Sequence, residues 1–307
     1  MNYEDKTVRN SSQTKKTTIL TDLRSLFKAT VLIANVLPVI SGFWLALYFT
    51  DNAFADYWVL FLLTMIGSTL VMAGALVLNN WYDVDIDKIM QRTKNRPTVT
   101  GNISMNTVLA TGIIASILGL IILLFTTWEA TIYAFIGWFL YVVPYTMWTK
   151  RKYTFNTIIG SLSGAVTPLI GWAAIDSAFH IVPIILFLIL FIWQMPHTFS
   201  IAIRKYDEYK AAGVAMLPVV HGVEVTKRQM VVYIACLLPL PFYLAQLGIT
   251  FIIIATLLNL GWLAIAISGF FVKDVVKWAR WNFLYSVNYL LLIFLMVIAV
   301  TLPMFQG

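Results

Sequence analysis

Long apolar runs alternate with short polar breaks along the whole chain. Nine runs of about 20 residues can be bounded, at about 29–50, 57–78, 105–125, 128–149, 155–175, 180–202, 229–247, 250–272 and 282–302, each long enough for a helix that crosses a bilayer. None alternates with a period of two, which excludes the strands of a transmembrane barrel. The pattern predicts an all-α polytopic membrane protein of nine transmembrane helices. Residues 1–24 read as a polar N-terminal tail and residues 25–307 as one transmembrane domain. Composition agrees: 60% of residues are hydrophobic and 11% charged, against about 25% charged in soluble domains.

The polar breaks are not alike. The segments to Lys28, 79–104, 150–152, 203–228 and 273–281 hold six, four, three, five and three of the 21 Lys and Arg residues, which is all of them. The opposite breaks carry only Asp51, Asp56, Glu129 and Asp176. Basic loops stay on the cytoplasmic side, so the N-terminus is expected in the cytoplasm and the C-terminus outside. Topology thus accounts for the net charge of +7, and no nucleic-acid partner is expected. Glu4, Asp5 and Asp22 in the tail argue against a transit peptide, which points to a bacterial plasma membrane. The single cysteine, Cys236, excludes a disulfide framework and reads as a small buried hydrophobe.

Chemistry concentrates in two breaks. Residues 78–101 read LNNWYDVDIDKIMQRTKNRPTVTG. On a helix Asn79, Asp83 and Asp87 fall within an arc of about 80° and rise about 12 Å, while Asp85 points elsewhere. Three oxygen-bearing side chains in a row suit Mg²⁺ rather than Zn²⁺. Arg92, Lys94 and Arg96 follow at once, and cations beside a Mg²⁺ site suggest a phosphorylated ligand. The sixth span carries Trp193, His197, Ser200, Arg204 and Asp207 at intervals of three or four. One helix face therefore joins the bilayer interior to the loop that follows. Lys28 and Asn35 lie in the first span, where an amide at membrane depth must find a partner. Lys150, Arg151 and Lys152 need no ligand to act as a topological anchor.

The spacing Asn79-x-x-x-Asp83-x-x-x-Asp87, with Arg92-Thr93 and Arg96-Pro97, resembles the first signature of the UbiA-type intramembrane prenyltransferases. The stretch from Trp193-Gln-Met-Pro-His197 through Arg204 and Asp207 to Met216-Leu-Pro218 narrows the likeness to the protohaem IX farnesyltransferases, or haem O synthases. The resemblance implies a central cavity opening to the cytoplasmic face, with Asn79, Asp83 and Asp87 holding Mg²⁺ against farnesyl diphosphate. It implies a vinyl group of haem b as acceptor, and Lys28 and Asn35 facing the active cavity on its haem side. Trp193, His197 and Arg204 would meet the macrocycle, and Lys150 and Arg151 would flank the diphosphate. The second motif departs from the superfamily pattern, because Ala211 stands where a second aspartate would follow Asp207. Asp207 then either shares a metal or orients a base, while Arg204, Lys205 or Lys210 meets diphosphate or a haem propionate. Expected partners are the lipid bilayer and membrane proteins of the haem pathway or of oxidase assembly. Two other readings stand beside this one: prenyl transfer to a quinone-precursor ring, and a transporter. A transporter would place its ionisable groups near the midplane, whereas these cluster at one rim.

Overall fold

The structure is a computed structural model that describes residues 18–302. Helix α1 (Ile19–Leu26) precedes the first long helix, α2 (Ala29–Phe49). Helix α3 (Phe54–Tyr82) leads into a loop carrying α4 (Val84–Ile89) and α5 (Pro97–Thr100). Helices α6 (Met105–Leu124) and α7 (Trp128–Leu140) pack together, and α7 runs through a π-helical segment, Tyr141–Thr149, into α8 (Lys150–Lys152). Helices α9 (Asn156–Ala165) and α10 (Thr167–Ala173) follow. The long α11 (Ile181–Arg204) opens a second loop with α12 (Tyr206–Ala211) and α13 (Leu217–His221). Helix α14 (Val223–Cys236) continues through a 3₁₀ segment, Leu240–Leu247, before α15 (Ile249–Ser268) and α16 (Val275–Ala299).

Among the described residues, eight helices are long and apolar enough to cross a membrane. The expected span at 155–175 is not one long helix: α9 and α10 are separated at Val166. Pro168 has no N–H to offer the Gly164 carbonyl, and the Thr167 hydroxyl donates to that carbonyl instead, at 2.8 Å. The pair still joins opposite ends of the bundle. Asn156 Nδ2 donates to the Ala215 carbonyl in the second loop, while the Ala173 carbonyl accepts from Thr127 Oγ1 at the turn between α6 and α7. Helix α10 also crosses α2 closely, since a Cβ at Gly171 would stand 2.0 Å from the Val39 carbonyl oxygen.

Residues 1–17 of the expected tail lie outside the described residues, and α1, which Thr18 caps and which buries Asp22 and Leu26, spans the boundary drawn at residue 24. Two further expectations need correction. The last helix begins at Val275 rather than near 282, because Asp274 accepts from the Lys277 N–H and starts it in the basic segment. Cys236 is exposed, not buried.

The outside of the bundle is apolar: Ile114, Ile117, Leu257 and Leu291 are all exposed, as a surface in contact with lipid requires. The largest core cluster includes Phe43, Trp172, Leu186, Trp262 and Phe294, from α2, α10, α11, α15 and α16. A separate cavity of about 110 Å³ lies between α2, α3, α7, the break after α9, and α11. Asn35, Ser68, Tyr141, Ser163, Thr167 and Gln194 supply polar groups to its wall.

Candidate active site

Helix α3 ends at Tyr82 and α4 starts at Val84, with Asp83 (φ −89°, ψ 11°) between them. The helical hydrogen bonds persist across this junction: the Asp83 N–H donates to the Asn79 carbonyl at 3.0 Å, and the Asp87 N–H to the Asp83 carbonyl at 2.9 Å. The four-residue register therefore survives, and Asn79, Asp83 and Asp87 are only 2, 1 and 4% exposed.

Each of these side chains meets a cation. Lys28 Nζ donates to Asn79 Oδ1 and Lys150 Nζ to Asp83 Oδ2. Arg96 Nη1 pairs with Asp87 Oδ2 at 2.5 Å. Asn79 Nδ2 donates to Asp83 Oδ2 at 2.8 Å and to Thr146 Oγ1 at 2.9 Å, which fixes Oδ1 as the end turned to Lys28. Burial pushes the Lys28 ammonium well below the usual lysine pKa; Arg96 and Lys150 push the same way, and Asp83 and Asp87 oppose them. Asp85 points outward, as its position predicts. Arg151 grips it with two nitrogens, at 2.5 and 2.7 Å, and also donates to the Tyr82 carbonyl at 3.2 Å. That hydrogen-bonded guanidinium holds the Asp85 carboxyl below the usual carboxylate range. Arg151 also approaches Asp83 Oδ1, at 3.7 Å.

The π-helical segment brings the opposite wall into line. With i→i+5 bonding at about 4.4 residues per turn, Tyr141, Tyr145, Thr146 and Lys150 fall within about 80°, where an α-helix would spread them over about 180°. The segment contains Pro144, a residue that disrupts α-helical bonding. Tyr145 lies under Lys150, 5.8 Å from the ammonium to the ring centroid. A Cβ at Gly160 would stand 3.0 Å from that ring, so the glycine lets Tyr145 lie against α9.

The two loops close over one place. Ile86 and Met90 of the first loop share an apolar cluster with Ala202, Val214 and Met216, against which Tyr209 packs. Burial raises the Tyr209 pKa; the nearby Tyr145 adds to the rise, and the charges of Arg92 and Lys150 oppose it. Arg92 itself is exposed in the first loop.

The other expected residues lie apart from this row. Lys94 and Asp207 are exposed, and Lys205 pairs with Glu208 at 2.6 Å. Asn35 lines the cavity, with Nδ2 donating to the Val31 carbonyl. Trp193, His197 and Arg204 share a face that packs on α16. Trp193 Nε1 donates to the Ser286 carbonyl at 2.8 Å, and His197 Nδ1 lies 2.7 Å from Ser286 Oγ. The His197 ring stacks on Trp193, and Arg204 lies over the Phe283 ring, 5.0 Å from its centroid. Gln194, next to Trp193, is the member of that motif that lines the cavity. Thr146 and Tyr141 were not legible as site residues, since only the widened helix turns both inward. Pro144 inside an apolar run was the one signal.

The donor set fits a hard cation. Asn79 Oδ1 and the carboxylates of Asp83 and Asp87 are all oxygen ligands, as Mg²⁺ prefers. Asp83 Oδ1 is buried and accepts no hydrogen bond, with only the Arg151 guanidinium at 3.7 Å, and a cation would satisfy its open lone pairs. Among the described residues no three His, Cys, Asp or Glu side chains converge as a metal site. Two carboxylates and an amide would therefore need ligand oxygens and water to complete an octahedron.

A helical membrane bundle with a buried carboxylate row ringed by cations is the arrangement of an intramembrane enzyme that handles a charged head on an apolar chain. The chain belongs to the UbiA prenyltransferase family, whose model matches residues 35–288. It is 57% identical over 297 residues to the protoheme IX farnesyltransferase of Oceanobacillus iheyensis, covering 96% of this chain and 95% of that one. It is 51% identical over 290 residues to protoheme IX farnesyltransferase 2 of Bacillus velezensis, with coverages of 94 and 95%. Among solved structures, a UbiA homologue from Archaeoglobus fulgidus bound to GPP and Mg²⁺ superposes with a TM-score of 0.65 at 19% identity, covering 90% of this chain and 99% of that one. A digeranylgeranylglyceryl phosphate synthase reaches a TM-score of 0.72 at 20% identity, with coverages of 92 and 98%. These two likenesses establish the fold.

Proposed function

We propose that this chain transfers a farnesyl group from farnesyl diphosphate to a vinyl group of haem b at a bacterial plasma membrane, with diphosphate leaving and water adding the hydroxyl of the resulting hydroxyethylfarnesyl side chain, giving haem O. The acceptor rests on the two relatives named above, which match nearly end to end. The diphosphate half rests on one observation: a buried Asn79–Asp83–Asp87 row ringed by Lys28, Lys150, Arg151 and Arg96. Asn79, Asp83 and Asp87 would hold Mg²⁺, with Asp207 of the second loop as a further candidate ligand. Bound there, Mg²⁺ would offset the negative charge that grows on the leaving diphosphate.

Arg96 and Lys150 exchange their present carboxylate partners for diphosphate oxygens, and Arg92 joins them. Lys28, expected on the haem side, is read with them because its ammonium sits on Asn79 in the row. All four stabilise the same charge. Arg151, Lys94 and Lys205 add to the positive rim. Tyr141 and Tyr145 present ring faces, which attract cations, to the allylic carbon as its bond to oxygen breaks. The apolar wall around Val71 and Ile170 keeps water from that cation. Asn35, Trp193, His197 and Arg204 receive the macrocycle, Arg204 toward its propionates. In this reading α9 and α10 together make a fifth of nine crossings, and the cavity opens toward the cytoplasm.

Purified protein in nanodiscs, given haem b, Mg²⁺ and farnesyl diphosphate, is expected to form haem O, read by chromatography and mass. Prenylation of an aromatic acid with no haem product would overturn the acceptor and leave the diphosphate site standing. In the same system His197→Ala should weaken haem affinity about tenfold, the scale of a lost ligand or its support, with diphosphate-analogue binding unchanged. Ser286→Ala reports the tie to α16 separately. Unchanged haem affinity and turnover in His197→Ala would leave the histidine as a packing residue.

Orientation is tested by single cysteines at positions 91, 151, 210 and 276 in a Cys236→Ser background, with the exposed position 91 used in preference to the buried Met90. All four should react from the cytoplasmic side only. Opposite accessibility of positions 91 and 210 would sink a site shared by the two loops.

A further inference from the structure

We propose that Asn80 is a positioning residue that sets Lys28 against the diphosphate site. Asn79 and Asn80 are adjacent in α3, and successive side chains on a helix diverge by about 100°. Asn79 turns to the carboxylate row. Asn80, 1% exposed, turns to the end of α1, where Nδ2 donates to the Leu26 carbonyl at 2.6 Å and reaches the Ser25 carbonyl at 3.4 Å. Those carbonyls belong to the last turn of α1, where helix carbonyls run out of helical partners; that of Ser25 also accepts from the Lys28 N–H at 3.3 Å. Two acceptors on one side determine the amide's orientation, and Asn80 Oδ1 is left buried with no hydrogen-bond partner.

The clamped turn leads straight to Lys28, which adopts a left-handed conformation, φ 47° and ψ 52°. A non-glycine residue there is strained and persists only where its surroundings hold it. From that conformation the Lys28 carbonyl accepts from Val31 and Leu32 N–H and starts α2. Its ammonium reaches Asn79 Oδ1. Two neighbouring asparagines thus hold both ends of one turn, Asn80 by its backbone and Asn79 by its charge. Removing the Asn80 amide frees the Leu26 carbonyl and leaves that of Ser25 to the Lys28 N–H alone, lets the turn relax toward ordinary φ, and withdraws the ammonium.

The inference rests on the reading of Lys28 as a diphosphate contact. Its test uses binding of a non-cleavable farnesyl thiodiphosphate to the full-length protein in nanodiscs with Mg²⁺, by calorimetry and without haem. Failure of the haem assignment therefore leaves it untouched. Asn80→Leu, which keeps the shape and removes the donor, and Asn80→Ala are compared with Lys28→Ala and with each double variant. Each single change should weaken the analogue about tenfold, the scale of one charge-assisted hydrogen bond. The doubles should be no weaker than Lys28→Ala alone, within about twofold, because both changes remove one interaction. Asn80→Gln, which retains the donor, should recover most of the affinity. Wild-type affinity in the Asn80 variants, in Lys28→Ala, or losses that multiply in the doubles, would overturn the proposal. A structural defect alone would lower the melting temperature in the Leu and Ala variants and multiply with Lys28→Ala.

Discussion

Replacing Asp83 or Asp87 with asparagine is expected to lower farnesyl transfer by about 10²- to 10³-fold, the scale on which an electrostatic contact to a developing charge is felt. Both carboxylates are buried, and each is the partner of a cation, Lys150 and Arg96 respectively. Their loss therefore strands a partly buried positive charge as well as removing a ligand. Breaking a buried pair costs up to about 3–5 kcal/mol; the thermal melt of each variant should fall, with the protein still inserted. Chelation gives the same loss of turnover without that fall, and Mg²⁺ restores it. Asp85→Asn is the control. Its side chain is 61% exposed and its partner Arg151 is 32% exposed, so the pair is worth about 0–1 kcal/mol and turnover should hold within a few-fold. Equal sensitivity of Asp85 and Asp83 would contradict the register seen across the junction of α3 and α4.

Lys150→Met should be the next most damaging change, with kcat/KM for farnesyl diphosphate falling about 10²-fold, as for loss of one preorganised donor. The ammonium reaches Asp83 from the π-helical wall and sits over Tyr145. Lys150→Arg should recover part of the activity, because charge returns with a different reach. Lys152→Met separates this role from topology. Lys152 is exposed, and as a topological anchor it counts the same as Lys150. Equal effects of the two methionine variants would make Lys150 an anchor and nothing more.

What the sequence made legible follows from how local each signal is. The lengths of the apolar runs place α2, α6 and α11 within a few residues, because hydropathy is averaged over a whole helix. The spacing of Asn79, Asp83 and Asp87 is likewise a property of one helix, and it survives the break at Asp83. The break between α9 and α10 was signalled only by Pro168, and prolines also stand inside α2 and α11 without dividing them. Partners across helices were not legible. Nothing local says that Arg151 will choose Asp85, or that His197 will meet Ser286, since both depend on how neighbouring helices are rotated. Asn80 was hidden by its neighbour, because the row gives it no part.

The widened turn at Tyr141–Thr149 also limits how this chain can change in length. One residue added or removed inside a helix rotates everything beyond it by about 100°. Between Leu140 and Lys150 that would carry the lysine and Thr146 off the wall they share with Tyr141. The connection between α6 and α7, at residues 125–127, need keep only Thr127, which caps α7 and holds the Ala173 carbonyl. A flexible loop there can double in length for about 0.6 kcal/mol. Insertions and deletions should therefore be tolerated at the end of the bundle away from the carboxylate row, and purged from an apolar stretch whose composition looks like any other.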